Sequence, residues 1–172
     1  MASGLRLGLP LAAAVVAFDQ LSKWWIVEAV MRPEGVAHTP FHTPRAIPVL
    51  PFLDIVMAWN RGVSFGMFNN DGRHNAVILT VLSLVIVAAM LVWLRRSADA
   101  LLSTGLGLII GGALGNVVDR IRFGAVADFV YFHVGGFDWP AFNLADAAIS
   151  VGAVMLVADA LFARPNSHKN MP

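Results

Sequence analysis

The chain has 172 residues, 58% of them hydrophobic and 13% charged, with a formal net charge of +1 and a mean hydropathy of +0.70. Soluble domains carry roughly 25% charged residues, so this composition belongs to the membrane class, and the near-neutral balance leaves no basic footprint for nucleic acid. Cysteine is absent, which excludes thiol nucleophiles, disulfides and thiolate-bound metals together.

Four apolar stretches are long enough to span a bilayer, which takes about 20 helical residues. They are predicted at about 7–30, 76–94, 101–118 and 142–162, within one integral-membrane domain covering residues 1–172. The first stretch is expected to be a membrane span rather than a cleaved leader. Its apolar pattern runs past the cleavable-looking Ala12-Ala13-Ala14 and on to Asp19 and Lys23.

The connection at 31–75 begins with Pro33 and Gly35 and carries His38-Thr39-Pro40 and His42-Thr43-Pro44. Histidines four apart suit a metal only on a helix, and these prolines exclude one, so no metal is expected. Two apolar runs, 47–59 and 63–68, flank Asn60-Arg61-Gly62 and are predicted to pair as a hairpin on the membrane surface.

Between the second and third spans lie Arg95 and Arg96. The third span contains "GLGLIIGGALG", which puts Gly107, Gly111 and Gly115 on one helical face as a packing stripe against a neighbour. The connection at 119–141 has a strand-like "VADFVYFHVGGFDWP", and a polar tail occupies 164–172. The density of Lys and Arg in the short flanks (Arg6, Arg95, Arg96, Arg164, Lys169) predicts both termini in the cytoplasm. Trp24, Trp25 and Trp139 then mark the outer interface and Trp93 the inner one.

That topology predicts a convergence. Asp19 and Lys23 lie in the outer half of the first span, Asn116 and Asp119 close the third, and Asn143 and Asp146 open the fourth. Asp128 sits in the connection between those last two ends. A carboxylate inside a membrane helix costs roughly 2.5–3.5 kcal/mol on insertion scales and needs a partner or a purpose. Each residue also has a plain role: Asp19 and Lys23 can neutralise each other at i, i+4, and the asparagines can join helices. Asp159, near the inner end, receives no function.

Among chemistries, Ser22-Lys23 cannot form a nucleophile pair, since neighbouring helical residues point about 100° apart. A serine triad would have to recruit His133 or His74 without a nucleophile motif. Two carboxylates close together in low dielectric remain. They cannot both ionise, so one holds a proton and the other is a base. Such a pair can activate water against an amide and protonate the leaving nitrogen. A proton-coupled transporter could use the same carboxylates, but four spans without an internal repeat are few for one. The Tyr-Asp and Gly-x-Gly-Asp motifs of presenilin-type proteases do not occur.

"DQLSK" (Asp19–Lys23), "NRGVSFG" (Asn60–Gly66), "GGALGNVVDR" (Gly111–Arg120), "VADF" (Val126–Phe129) and "PAFNLAD" (Pro140–Asp146) resemble, in order, the signature blocks of the lipoprotein signal peptidase (signal peptidase II) family. The resemblance covers essentially the whole chain. It implies a mainly α membrane protein of the bacterial inner membrane, with four transmembrane helices and a small periplasmic β-cradle. The implied activity is that of a cofactor-free aspartic peptidase that cuts diacylglyceryl-modified prolipoproteins just before the lipidated cysteine. Membrane phospholipid and globomycin-type inhibitors would be its other partners, and a monomer is the family default. By position, the resemblance implies a catalytic dyad of Asp128 and Asp146. It makes Asp19, Lys23, Asn60, Gly62, Asn116, Asp119, Arg120 and Asn143 supporting or substrate-contacting residues. The segment from about 33 to 48 is longer and richer in Pro and His than the family pattern, and "VADF" replaces the commoner "VVDF".

Overall fold

The structure, a computed structural model, describes residues 3–35, 45–62 and 73–162. Among the described residues, four helices are long and apolar enough to cross a membrane. They are α1 (Ser3–Trp25, prolonged by a π-turn at Ile26–Val30), α2 (Arg73–Arg96), α3 (Ala100–Phe123) and α4 (Leu144–Phe162). Strands β1 (Ala46–Leu50), β2 (Leu53–Asn60), β3 (Val126–Val134) and β4 (Phe137–Asp138) form an antiparallel sheet in that order.

Helix α3 is the central element, and glycine lets its neighbours approach. A Cβ on Gly107 would lie 2.8 Å from the Gly8 carbonyl oxygen of α1, and one on Gly111 2.7 Å from that of Ala12. The predicted stripe therefore faces α1. A second set, Gly105 and Gly112, admits α4 at Gly152 and Ala145. Without a hydrophobic difference between helix surface and lipid, such close backbone approach is what holds membrane helices together. Leu94, Leu106 and Ile110 fill the interior where α1, α2 and α3 meet, while α2 turns Val77, Ile78, Val81 and Val85 outward.

Three boundaries differ from the sequence reading. Helix α3 does not end near residue 118; it runs to Phe123, and Gly124 stops it in the left-handed region (φ 72°), donating its N–H to the Arg120 carbonyl. Asn116, Asp119 and Arg120 are therefore positioned by helical backbone, not by a fraying exit. The run at 47–59 is not one strand of a hairpin but a hairpin in itself, β1 turning at Pro51-Phe52 into β2. The other partner expected, 63–68, lies outside the described residues, as do both His-Thr-Pro segments and the tail. Lastly, α1 begins at Ser3 and leaves its α geometry at Ile26, where Met31 donates to the Ile26 carbonyl across five residues. The widened turn seats Ile26, Val27 and Met31 against Met57, Ala127 and Phe129, joining the helix to the sheet.

Candidate active site

All the residues expected in the site, Gly62 included, fall at the end of the bundle that carries the sheet. Asp19, Lys23, Asp119, Asp128 and Asn143 are each at least 96% buried. At that depth every donor and acceptor needs a partner.

Lys23 supplies the first layer. Its ammonium group lies 2.9 Å from Asp19 Oδ2, 2.9 Å from Asp119 Oδ2 and 3.0 Å from Asn116 Oδ1. Its three N–H donors are thus fully used. Neutralisation of Asp19 by Lys23 is only part of the arrangement, because the same cation also joins α1 to α3. Gln20 completes this layer, donating to Asp119 Oδ1 at 2.9 Å and to Asp19 Oδ2 and the Gly115 carbonyl at 3.2 Å. Gly115 leaves room for this: a Cβ there would sit 2.5 Å from Asp19 Oδ2.

Each carboxylate of this layer also accepts from a distant backbone N–H. Asp19 Oδ1 takes the Ala145 N–H at 3.0 Å, an orphan donor in the first turn of α4. Asp119 Oδ2 takes the Ala127 N–H at 3.1 Å. One acid anchors the start of α4 and the other fixes the residue before Asp128.

The second layer contains Asp128 and Asp146. Asn143 caps α4 in a reciprocal box: its Oδ1 accepts the Asp146 N–H at 3.0 Å, and Asp146 Oδ2 accepts the Asn143 N–H at 3.3 Å. The favourable end of the helix dipole thus explains why a carboxylate opens so greasy a helix. The residue before the cap is held as well, since Phe142 exchanges backbone hydrogen bonds with Val130 at 2.9 and 3.0 Å. Asn143 Nδ2 then reaches Asp128 Oδ1 at 2.7 Å, and Asn116 Nδ2 donates to Asp146 Oδ1 at 2.8 Å. The Asn116 amide has one possible orientation, because Lys23 can only donate to its oxygen.

Asp128 stands opposite Ala58 on β2, which makes Asn60 its diagonal neighbour across the strands. The Asn60 side chain hydrogen-bonds Asp128, while its Oδ1 accepts the Gly62 N–H at 2.9 Å. Gly62 has φ 69° in that turn, and a Cβ there would strike Leu79. Burial, followed by the neighbouring Asp146, raises the Asp128 carboxyl from 3.8 to about 7, against the opposing pull of Asn60, Asn143 and Lys23. Arg120 lies within electrostatic reach of Asp146, Asp119 and Asp128.

The geometry brings together every residue predicted from the sequence and adds Gln20, which the sequence reading passed over. A third polar side chain in the same membrane turn as Asp19 and Lys23 was the available signal.

A model of the signal peptidase (SPase) II family matches residues 11–162. The chain belongs to the signal peptidase II family. Its relatives include the lipoprotein signal peptidase of Methylorubrum extorquens (strain PA1), 42% identical over 96% of this chain and 91% of that one. The lipoprotein signal peptidase of Rhodopseudomonas palustris (strain TIE-1) is 39% identical, covering 94% of this chain and 95% of that one. Among solved structures, a bacterial membrane enzyme at 26% identity superposes with a TM-score of 0.73, covering 96% of this chain and 93% of that chain. A signal peptidase II is a membrane-embedded peptidase, and the four helices with their small sheet are the scaffold of that activity.

Proposed function

We propose that this signal peptidase II removes the signal peptide from diacylglyceryl-modified prolipoproteins, with Asp128 and Asp146 as its catalytic dyad. The observation that carries the assignment is that both carboxylates meet at one asparagine, Asn143, whose amide bonds Asp128 while its backbone and side chain grip Asp146. Asp119, the other buried acid of the third helix, has both oxygens committed to Gln20, Lys23 and the Ala127 N–H.

The roles follow from environment. Asp128, whose carboxyl is raised to about 7 by burial and by Asp146, carries the shared proton in about half of the molecules at neutral pH and is the acid in that form. Asp146 is the base. It takes a proton from water as the oxygen attacks the scissile carbonyl. Asp128 then protonates the amide nitrogen, and the carbon–nitrogen bond breaks. Asn60, Asn116 and Asn143 hold the two acids, and Arg120 supplies positive charge beside them.

The deciding experiment is single-turnover processing of a lipidated precursor by the purified protein in detergent, by wild type and by Asp146→Asn. Two carboxylates supply both proton transfers, so cleavage is expected to persist in EDTA; loss that zinc reverses would contradict the mechanism. Globomycin-type cyclic peptides are proposed as inhibitors, and the monomer as the working unit.

For orientation, we place both termini in the cytoplasm of a bacterial inner membrane and the sheet end at the periplasmic face. Arg95 and Arg96, at the end of the bundle away from the sheet, support that direction. A reporter fused after Lys169 should be active only in the cytoplasm, and one inserted near His42 only in the periplasm. A periplasmic signal from the first fusion would reverse the placement.

A further inference from the structure

Beside Asp146, a groove of about 700 Å³ runs between the sheet and α4. Asp146 lies at its upper end. Phe132 and Phe142, stacked at 5.9 Å, and the half-exposed Trp139 form the sheet-side wall. Ser150 and Val151 form the α4 wall, one turn or more further along the helix. At 1.5 Å per residue, Val151 is about 7 Å below Asp146. Apart from Asp146 and Ser150 the lining side chains are apolar. The groove opens onto the outward face of α4, where Val151 and Val154 are more than half exposed.

We infer that this groove holds one acyl chain of the substrate's own diacylglyceryl group during cleavage. The inference rests on the proposed cut beside a lipidated cysteine. The scissile carbonyl must reach Asp146, so the glyceryl thioether on the next residue starts within a few bonds of it. Its chains must then leave toward hydrocarbon. Toward α1 and α3 the way is filled by Asn116, Asn143 and Lys23, which are buried and bonded to one another. The aromatic groove is continuous with Asp146, apolar, and descends along α4 to its exposed face. The groove runs about 7 Å along α4, far less than the roughly 30 Å of a spanning signal-peptide helix. A single flexible chain fits.

The test compares precursors carrying hexadecanoyl or hexanoyl chains on the same peptide, with KM and kcat measured separately. Wild type should show the lower KM for the long chains. Val151→Trp and Val151→Phe fill the far end of the groove, five residues beyond Asp146 on α4, and melting curves report their folding. Each should raise KM for the long-chain precursor about tenfold, with KM for the short-chain precursor and both kcat values changed by less than about twofold. Equal KM values for the two precursors in wild type would overturn the groove assignment while leaving the peptidase reading intact. So would variants that slow both precursors alike, or neither. A photoreactive residue in the signal peptide that crosslinks to Val151 would also overturn it, by placing the peptide where the chain should lie. Cleavage by Asp146→Asn would instead strike at the dyad itself.

Discussion

Asp128→Asn and Asp146→Asn are each expected to abolish cleavage of a diacylglyceryl precursor while leaving a folded protein. Asparagine matches the shape of aspartate and can keep accepting one hydrogen bond, so Asn143 retains its partners on both sides. It cannot serve as base in place of Asp146, nor give up an acid proton in place of Asp128. The double variant should be no worse than either single one, because residues that act as a unit are not additive. Asp119→Asn is expected to slow turnover and lower the melting temperature without complete loss, since it weakens the hold on Lys23 and on the Ala127 N–H. Asp19→Asn falls in the same intermediate class. Folded but inactive Asp119→Asn beside an active Asp128→Asn would move the dyad to Asp119 and Asp146.

The acid also sets a pH limit. With a folded value of about 7 against 3.8 for the free group, Asp128 binds its proton more tightly in the native state. Its contribution to stability is therefore full below pH 3.8 and is lost as the pH rises through about 7. Turnover should fall over the same upper limb as the acid ionises. Asp128→Asn should flatten that part of the stability profile; an unchanged melting profile across it would contradict the assignment.

The largest loss of stability is expected at Lys23→Met. The substitution keeps an unbranched apolar stem but leaves Asp19 and Asp119 buried around an empty cationic position, where each lay 2.9 Å from the ammonium group. Breaking a buried ion pair by removing one partner typically costs about 3–5 kcal/mol, because the remaining charge has neither water nor counter-ion. The Asn116 amide also loses the donor that orients it toward Asp146, so turnover should fall along with stability. Adding Asp119→Asn to Lys23→Met removes one of the stranded charges and should recover part of the melting temperature. A Lys23→Met protein that melts like wild type would show that the cation does not hold α1 against α3.

Convergence of the polar residues was legible because membrane spans have only two ends. Once four spans are recognised, Asp19, Asn116 and Asn143 must share a depth, and the family blocks then select Asp128 from a connection that hydropathy alone leaves anonymous. The glycine stripe was legible for a similar reason, since three glycines at a spacing of four make one face whatever the neighbour is. The end of α3 was misplaced because polar residues were read as leaving the membrane; only Gly124 can take the backbone where the helix stops. An additional hairpin within 47–59 was not legible, because that run reads as one apolar stretch, whereas Pro51-Phe52 turns the chain inside it. The backbone donors of Ala127 and Ala145 were beyond reach, since any residue type offers the same N–H and only the fold says whose carboxylate takes it.

The bond from Ala145 to Asp19 joins the last helix of the chain to the first. During biosynthesis α1 enters the bilayer long before α4 exists, and at that stage Asp19 has Lys23, one turn away, and Gln20 beside it as partners in its own helix. The arrival of α3 shares the cation with Asp119, and the arrival of α4 brings the N–H that completes Asp19 and the cap that presents Asp146. A ribosome-bound or truncated chain lacking the fourth helix therefore lacks one member of the proposed dyad, and on that proposal proteolytic competence begins only when synthesis has passed the final span.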